Sequence, residues 1–325
     1  MTSAATNRAD IAAQVVAAEQ RLRGNVLHTP LVPCPWLADE LGADIRWKLE
    51  NVQHTGSFKV RGASNALHAL SDAQRERGVV AASSGNHGLG LARAAKQLAM
   101  EATVFVPSTT PARKQESIRR YGAEVQVHGD DCVITERHAR EVAATTGKTY
   151  ISPYNDAAVI AGQGTVAHEL LADWSEVEVV YVALGGGGLI SGMAAYAKSV
   201  SPNIEFVGCS PTASAAMAEC VRHGAITDIP CGATWSDSTA GGVEPGAITF
   251  ELCSDLVDRF IDVDEPAIEQ AMRDSLVLQH QLVEGAVGVA IAACRADAEL
   301  RGRRAAIIAC GGNLPFDLLQ KLVSV

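Results

Sequence analysis

Short runs of β-branched and other apolar residues, each followed by a longer helix-patterned stretch, recur along nearly the whole chain. No other feature narrows its possible folds so far. The runs are Val79–Ala82, Ala102–Val106, Glu124–Val127, Val177–Ala183, Ile204–Gly208 and Ala305–Ala309, and Asp44–Leu49 adds another in which Ile45, Trp47 and Leu49 alternate as one strand face does. Between them lie His87–Leu98, Pro111–Tyr121, Ala157–Asp173, Ile190–Ser199 and Glu265–His280. Ile11, Val15, Ala18 and Leu22 give residues 8–22 the spacing of an amphipathic opening helix. Pro111 and Pro266 stand where the first turn of a helix tolerates proline. This alternation predicts an α/β fold of parallel sheets with crossover helices. With no internal repeat, low-complexity tract or Ser/Pro-rich linker, two lobes would have to be joined by short connections, and 325 residues suffice for two.

Composition and charge narrow the function. A chain with 47% hydrophobic residues, 29 glycines and 5% aromatics has the profile of a globular α/β enzyme, not of a disordered or fibrous protein. Its net charge of −10 speaks against a nucleic-acid partner, whose phosphates need a basic surface. The most apolar stretch, Val177–Ala197, is broken by Glu178 and four consecutive glycines, so no membrane span is expected. Nor is a secretory signal, because Asp10 and Glu19 interrupt the alanine-rich opening and no basic segment precedes an apolar core. Cysteines at 34, 132, 209, 220, 231, 253, 294 and 310 form no C-x-x-C pair, which predicts reduced, mostly buried thiols in a cytoplasmic protein.

Four stretches hold residue types that do chemistry. In Glu50-Asn51-Val52-Gln53-His54-Thr55-Gly56-Ser57-Phe58-Lys59-Val60-Arg61-Gly62-Ala63, Gly56-Ser57 closes a turn and Lys59 falls in the first turn of a helix running to about Leu70. The positive end of a helix disfavours a charged lysine and favours the neutral amine that a Schiff base requires, although a solvated surface lysine is the plain alternative. Ala82-Ser83-Ser84-Gly85-Asn86-His87-Gly88 puts small residues with free N–H groups at a helix start, either a cradle for a carboxylate or an ordinary capping turn. Leu184-Gly185-Gly186-Gly187-Gly188-Leu189-Ile190-Ser191-Gly192 lets backbone wrap closely around a tetrahedral anion, for which phosphate is the natural ligand. A dinucleotide loop is the competing reading, but the G-x-G-x-x-G spacing is missing and the nearest acid, Glu205, lies inside a strand-like run. Ile308-Ala309-Cys310-Gly311-Gly312-Asn313 is a strand end entering a glycine turn, with a buried cysteine as its plain reading. Ligands in open α/β sheets sit at the carboxyl ends of strands, so the glycines at 85, 185–188 and 311–312 are expected to converge on one cleft.

In this order, from about Thr29 to Asn313, these stretches closely resemble the threonine/serine dehydratase branch of the fold-type II pyridoxal-phosphate (PLP) enzymes. That branch also includes serine racemase. The resemblance implies two lobes, each a mostly parallel sheet flanked by helices. A large PLP-binding domain would comprise residues 1–70 with 152–325 and a small domain residues 75–150, with the active site in the cleft between them. It also implies a homodimer. By similarity, Lys59 carries the cofactor aldehyde, Phe58 packs near the ring, Asn86 hydrogen-bonds the ring hydroxyl, and Gly185, Gly186, Gly187, Gly188 and Leu189 hold the phosphate. Ser83, Ser84, Asn86 and His87 match the loop that receives the substrate carboxylate, and Ser84 also matches the acid/base opposite the lysine in the family's racemases. Cys310 stands where the family usually has a serine on the pyridine nitrogen; a neutral thiol donates weakly and cannot pair with a protonated ring, which favours elimination. Glu284 is ring-facing by similarity, or else a helix-capping acid. The implied reaction dehydrates a serine- or threonine-type β-hydroxy-α-amino acid to a 2-oxo acid and ammonia, with Lys59 taking the Cα proton. Serine racemisation, or dehydration of a bulkier substrate such as hydroxyaspartate or phenylserine, is the alternative.

The chain departs from the family pattern in three places. After Phe206-Val207, the two carboxylates that bind a divalent cation in some relatives are replaced by Ser210 and Ala216, so that metal site is expected to be absent. The family's Asp-Gly pair reads Asp237-Ser238, which with Tyr154-Asn155 is expected to reshape the side-chain pocket. The sequence ends twelve residues after Asn313, too soon for the regulatory domain of biosynthetic threonine dehydratases, so a catabolic role is expected. A nicotinamide-dependent oxidoreductase leaves Lys59 and the Ser-Ser-Gly-Asn-His turn unexplained, and a non-catalytic PLP carrier leaves the carboxylate cradle without a use.

Overall fold

The computed structural model describes residues 3–324. The chain opens with α1 (Ser3–Leu22), β1 (Leu31–Pro33), α2 (Pro35–Leu41) and β2 (Asp44–Lys48), and a 3-10 turn over Glu50–Val52 leads to α3 (Lys59–Ala69) and α4 (Asp72–Arg77). There follow β3 (Val79–Ala82), α5 (Asn86–Gln97), β4 (Ala102–Val106), α6 (Ala112–Arg120), β5 (Glu124–Val127), α7 (Cys132–Thr146) and β6 (Thr149–Tyr150). The second half reads α8 (Ala157–Asp173), β7 (Val179–Ala183), α9 (Gly188–Val200), β8 (Glu205–Pro211), α10 (Ala216–His223) and α11 (Ile248–Leu256). It ends with β9 (Arg259–Val263), α12 (Glu265–Leu278), α13 (Gly285–Ala296), β10 (Arg304–Ile308) and α14 (Phe316–Val323).

These strands build two sheets, in the orders β1-β2-β10-β7-β8-β9 and β5-β4-β3-β6. Every pairing is parallel except β1 with β2. The expected α/β architecture is therefore the observed one. Burial on both faces explains why the central strands read as unbroken apolar runs: all five residues of β4 and all five of β7 are buried. Helix starts follow their local chemistry. Asp131, Asp156 and Asp264 each accept a hydrogen bond from the third residue beyond, capping α7, α8 and α12, and Pro266 sits in the first turn of α12. Pro111 is the residue just before α6 and not a member of its first turn.

The larger core surrounds the six-stranded sheet, with Trp47, Tyr181, Phe206 and Ile307 among its fully buried members. A second packs Val79, Ala81, Val104 and Val106 against helices beside the four-stranded sheet. Helices α3 and α8 touch both regions. Ala63, Ala66 and Leu67 of α3 belong to the second core, whereas α8 contributes Val159 to the second and Ile160, Val166 and Leu170 to the first. None of the eight cysteines is in a disulfide, and all but Cys132 and Cys231 are buried. Among the described residues no helix is long and apolar enough to cross a membrane.

Candidate active site

The carboxyl ends of β3, β7 and β10 open on one cavity of about 760 Å³, reached by Ala82, Ala183 and Cys310. Gly85 and Gly185–Gly188 line it, as the sequence predicted. The third glycine pair does so only through its neighbours: Cys310 and Asn313 face the cavity, while Gly311 packs so tightly behind that an added Cβ would come within 2.6 Å of the Glu284 carboxylate.

Lys59 is the first residue of α3, and the turn before it is pinned to the end of β10. Ser57 bridges to Gly311, the Phe58 N–H donates to the Cys310 carbonyl (3.0 Å), and the Gly312 N–H donates to the Gly56 carbonyl (2.9 Å). Gly56 is required there, because its φ is +73° and any Cβ would meet the Asn313 side chain at 2.6 Å. The Lys59 amine lies in the cleft, donating to the Pro153 carbonyl at 2.9 Å. Burial lowers its pKa to about 8, against the opposing influence of Cys310 and Glu284. Burial is a cause that the sequence, which pointed to the positive helix end, did not reveal.

The glycine loop leaves β7 and enters α9 through Gly187, whose φ is +82°. Tyr154 packs against its back, since a Cβ on Gly186 would lie 2.4 Å from the Tyr154 ring. The N–H groups of a helix's first turn have no acceptor within the helix. Here that turn, Gly188 to Ile190, lines the cavity and can receive a phosphate. Across the cavity, Gly85 caps α5, and its N–H donates to the Ser83 hydroxyl (3.3 Å). Ser83, Ser84, Asn86 and His87 all line the cavity, but they do so differently. The His87 ring is 2% exposed and its Nε2 bonds the Ile151 carbonyl at 3.0 Å. Burial, aided by Lys59, pushes its pKa down to about 3. It is a neutral ring turned inward, so what it offers a carboxylate is its backbone N–H.

Of the two readings of Glu284, the helix-capping one fails. Glu284 occupies the residue before α13, yet its side chain caps nothing. Instead the carboxylate accepts from Asn86 Nδ2 (3.1 and 2.9 Å) and from the Ser238 hydroxyl (3.2 Å). Burial raises its pKa; the Asn86 bond opposes this and Asp237 adds to it. Asn313 completes the chain by donating to Asn86 Oδ1 (2.7 Å). Burial also raises the Cys310 thiol well above its ordinary value, with Glu284 adding to the effect, so Cys310 is a neutral thiol at the cavity wall. Sequence reasoning missed the α6 wall, where Arg113, Lys114 and Ser117 face the cavity and Lys114 Nζ stands 3.7 Å from Asp237. Nothing in a short, mostly basic helix marks which face meets a cleft made by distant segments. Ser210 and Ala216 are both buried, and among the described residues no three His, Cys, Asp or Glu side chains gather as a metal site would require.

The residues fit pyridoxal phosphate: a lysine amine that deprotonates near neutrality, a first-turn N–H array for the phosphate, and an uncharged wall at Cys310. Comparisons agree. Residues 22–311 match the model of the family described as pyridoxal-phosphate dependent enzyme. The L-threonine ammonia-lyase of Thermotoga maritima is 37% identical over 94% of this chain and 76% of its own. A catabolic L-threonine dehydratase of Staphylococcus aureus is 38% identical over 94% of this chain and 90% of its own. The structure of maize serine racemase superposes with a TM-score of 0.90 at 32% identity, covering 95% of each chain. With lysine, phosphate cradle and fold all in agreement, this chain belongs to the pyridoxal-phosphate-dependent enzymes, in their threonine/serine ammonia-lyase branch.

Proposed function

We propose that the protein converts a serine- or threonine-type β-hydroxy-α-amino acid to a 2-oxo acid and ammonia. The observation that carries this reading is the Lys59 amine, its basicity lowered by burial, between a candidate phosphate cradle at α9 and a candidate carboxylate cradle at α5. When bound, pyridoxal phosphate supplies the electron sink that makes the Cα–H bond acidic. The backbone N–H groups at the start of α9 hold the phosphate, and those at Ser84–His87 hold the substrate carboxylate, which fixes the direction of the Cα–H bond. With the substrate in place, Lys59 would take the Cα proton as a neutral amine close to its working pH. The hydroxyl would leave Cβ as water by taking up one proton, balancing the one removed from Cα, and a water molecule entering afterwards would release the nitrogen as ammonia. Asn86, held by Glu284 and Asn313, would meet the ring hydroxyl, and Phe58 and Cys310, which line the same cavity, would face the ring.

Lys59→Ala tests the assignment. It should retain no covalently bound cofactor and release ammonia about 10²–10⁴-fold more slowly, and full turnover would dismiss the reading. Ammonia and 2-oxo acid release from L-serine, L-threonine, both hydroxyaspartate diastereomers and phenylserine identifies the side chain. Serine racemisation is the second reading, favoured by Ser84 on the cavity wall; it would yield the opposite enantiomer without ammonia. We further propose lobes of residues 1–70 with 152–325 and of 75–150, a homodimer, and residence in the cytoplasm. Eight free thiols support the last. Sedimentation and limited proteolysis check the first two.

A further inference from the structure

Two residues beyond Lys59, Arg61 is fully buried, and every nitrogen of its guanidinium is bonded. Nε and Nη2 donate to Glu50 (2.8 and 2.7 Å), Nη1 and Nη2 to Glu169 (2.7 and 2.9 Å), and further bonds reach Thr165 Oγ1 (3.3 Å) and the Leu27 carbonyl (3.1 Å). Glu50 also accepts from the Thr29 hydroxyl (2.6 Å), and Glu169 from the buried Lys48 amine (2.9 Å). A buried ion cluster contributes little net stability over an apolar group of the same shape, so its presence asks for a geometric reason.

The reason lies in what the two carboxylates belong to. Glu50 sits in the 3-10 turn that begins the lysine loop. Glu169 is on α8, whose leading segment carries the Pro153 carbonyl that accepts from Lys59 Nζ. On a helix, two residues correspond to a rotation of roughly 200°, so Arg61 points away from the cavity as Lys59 points into it. Paired forks on both sides of a planar guanidinium resist rotation of the helix as well as sliding. The contact is close: a Cβ on Gly162 of α8 would lie 2.7 Å from both the Arg61 carbonyl and the Gly62 Cα.

We propose that Arg61 is the positioning residue for Lys59: clamped by Glu50 and Glu169, it sets the rotation of the first turn of α3 and so the place of the amine against the Pro153 carbonyl. This rests on Lys59 being the cofactor lysine. The titratable groups facing Lys59 are Cys310 after β10, Glu284 before α13 and His87 on α5, and none of them is in the clamp.

Arg61→Lys keeps the charge and removes the fork, while Glu50→Gln keeps Arg61 and weakens one side. Covalent capture of pyridoxal phosphate by the apo-protein, trapped by borohydride across pH, is the readout that a merely structural role would not move. In folded variants the capture midpoint should move from about 8 toward the 10.5 of an ordinary lysine as water reaches the amine. The kcat should fall by about 10²-fold with KM little changed. A folded variant with wild-type midpoint and kcat overturns the proposal. So does failure of both variants to fold, which would make the cluster structural alone. If the wild-type chain captures no cofactor at Lys59, the site assignment fails instead.

Discussion

An amine that loses its proton near pH 8 gives Lys59 two measurable consequences. Below that pH the folded chain holds the protonated, unreactive form, so the rate of pyridoxal phosphate capture should rise as pH rises through about 8. The folded value also lies below the ordinary 10.5, so the unfolded state binds more protons between the two, and stability should increase with pH across that window. Thermal melts of the apo-protein and of Lys59→Met, which lacks the effect, check the sign. At Cys310 the wall is uncharged. Cys310→Asp would place a second carboxyl beside Glu284, where two cannot both ionise readily. Cys310→Asp should therefore alter the absorption spectrum of the loaded enzyme and slow ammonia release. An unchanged spectrum would place Cys310 away from the ring. The lysine, the glycine loop and the Ser-Ser-Gly-Asn-His turn were legible because a cation in a first helical turn, four successive glycines and a run of small residues before a helix are all visible within a few neighbouring positions. The inward turn of His87 and the outward reach of Glu284 were not, because each depends on partners 64 and 198 residues away.

Elements were legible where burial leaves a pattern. The apolar runs of β3, β4, β7 and β10 came through, and so did α1, whose Ile11, Val15, Ala18 and Leu22 form one buried stripe. The two-residue β6 did not, and neither did β9, an edge strand whose residues are nearly all half-exposed. Helix α7 hid for a related reason: its buried residues are only Thr135, Ala139 and Ala143, too small and polar to draw an apolar stripe. Helix α13 hid for the opposite one, being buried along nearly its whole length and so without a period. At this scale the contact between α3 and α8 makes a sharp prediction. Gly162→Ala puts a methyl group 2.7 Å from backbone on α3, which cannot swing aside. It should destabilise the protein by about 1–3 kcal/mol in denaturant unfolding and lower kcat by displacing Lys59.

At the scale of the molecule, the sheet order decides the chemistry. β10 lies between β2 and β7, which sets the turn after residue 308 beside both the lysine loop and the glycine loop. The turn over residues 83–87, after β3 of the other sheet, lines the same cavity, so a cofactor held there would touch loops of both sheets. Saturating pyridoxal phosphate should therefore stabilise the whole chain, by about 2.7 kcal/mol at 100 times its Kd, read as a rise in melting temperature. Lys59→Ala should retain part of that rise through the α9 phosphate cradle, and none at all would place the phosphate elsewhere. The sequence by itself determined the α/β class and singled out Lys59 and the two small-residue helix starts as candidates, because periodicity, glycine and helix-start chemistry are local properties. Only the tertiary structure decided what surrounds the amine, which way His87 and Glu284 turn, and that Arg61 is clamped by two carboxylates. Those depend on which distant segments meet, and desolvation and pairing have no value until they do.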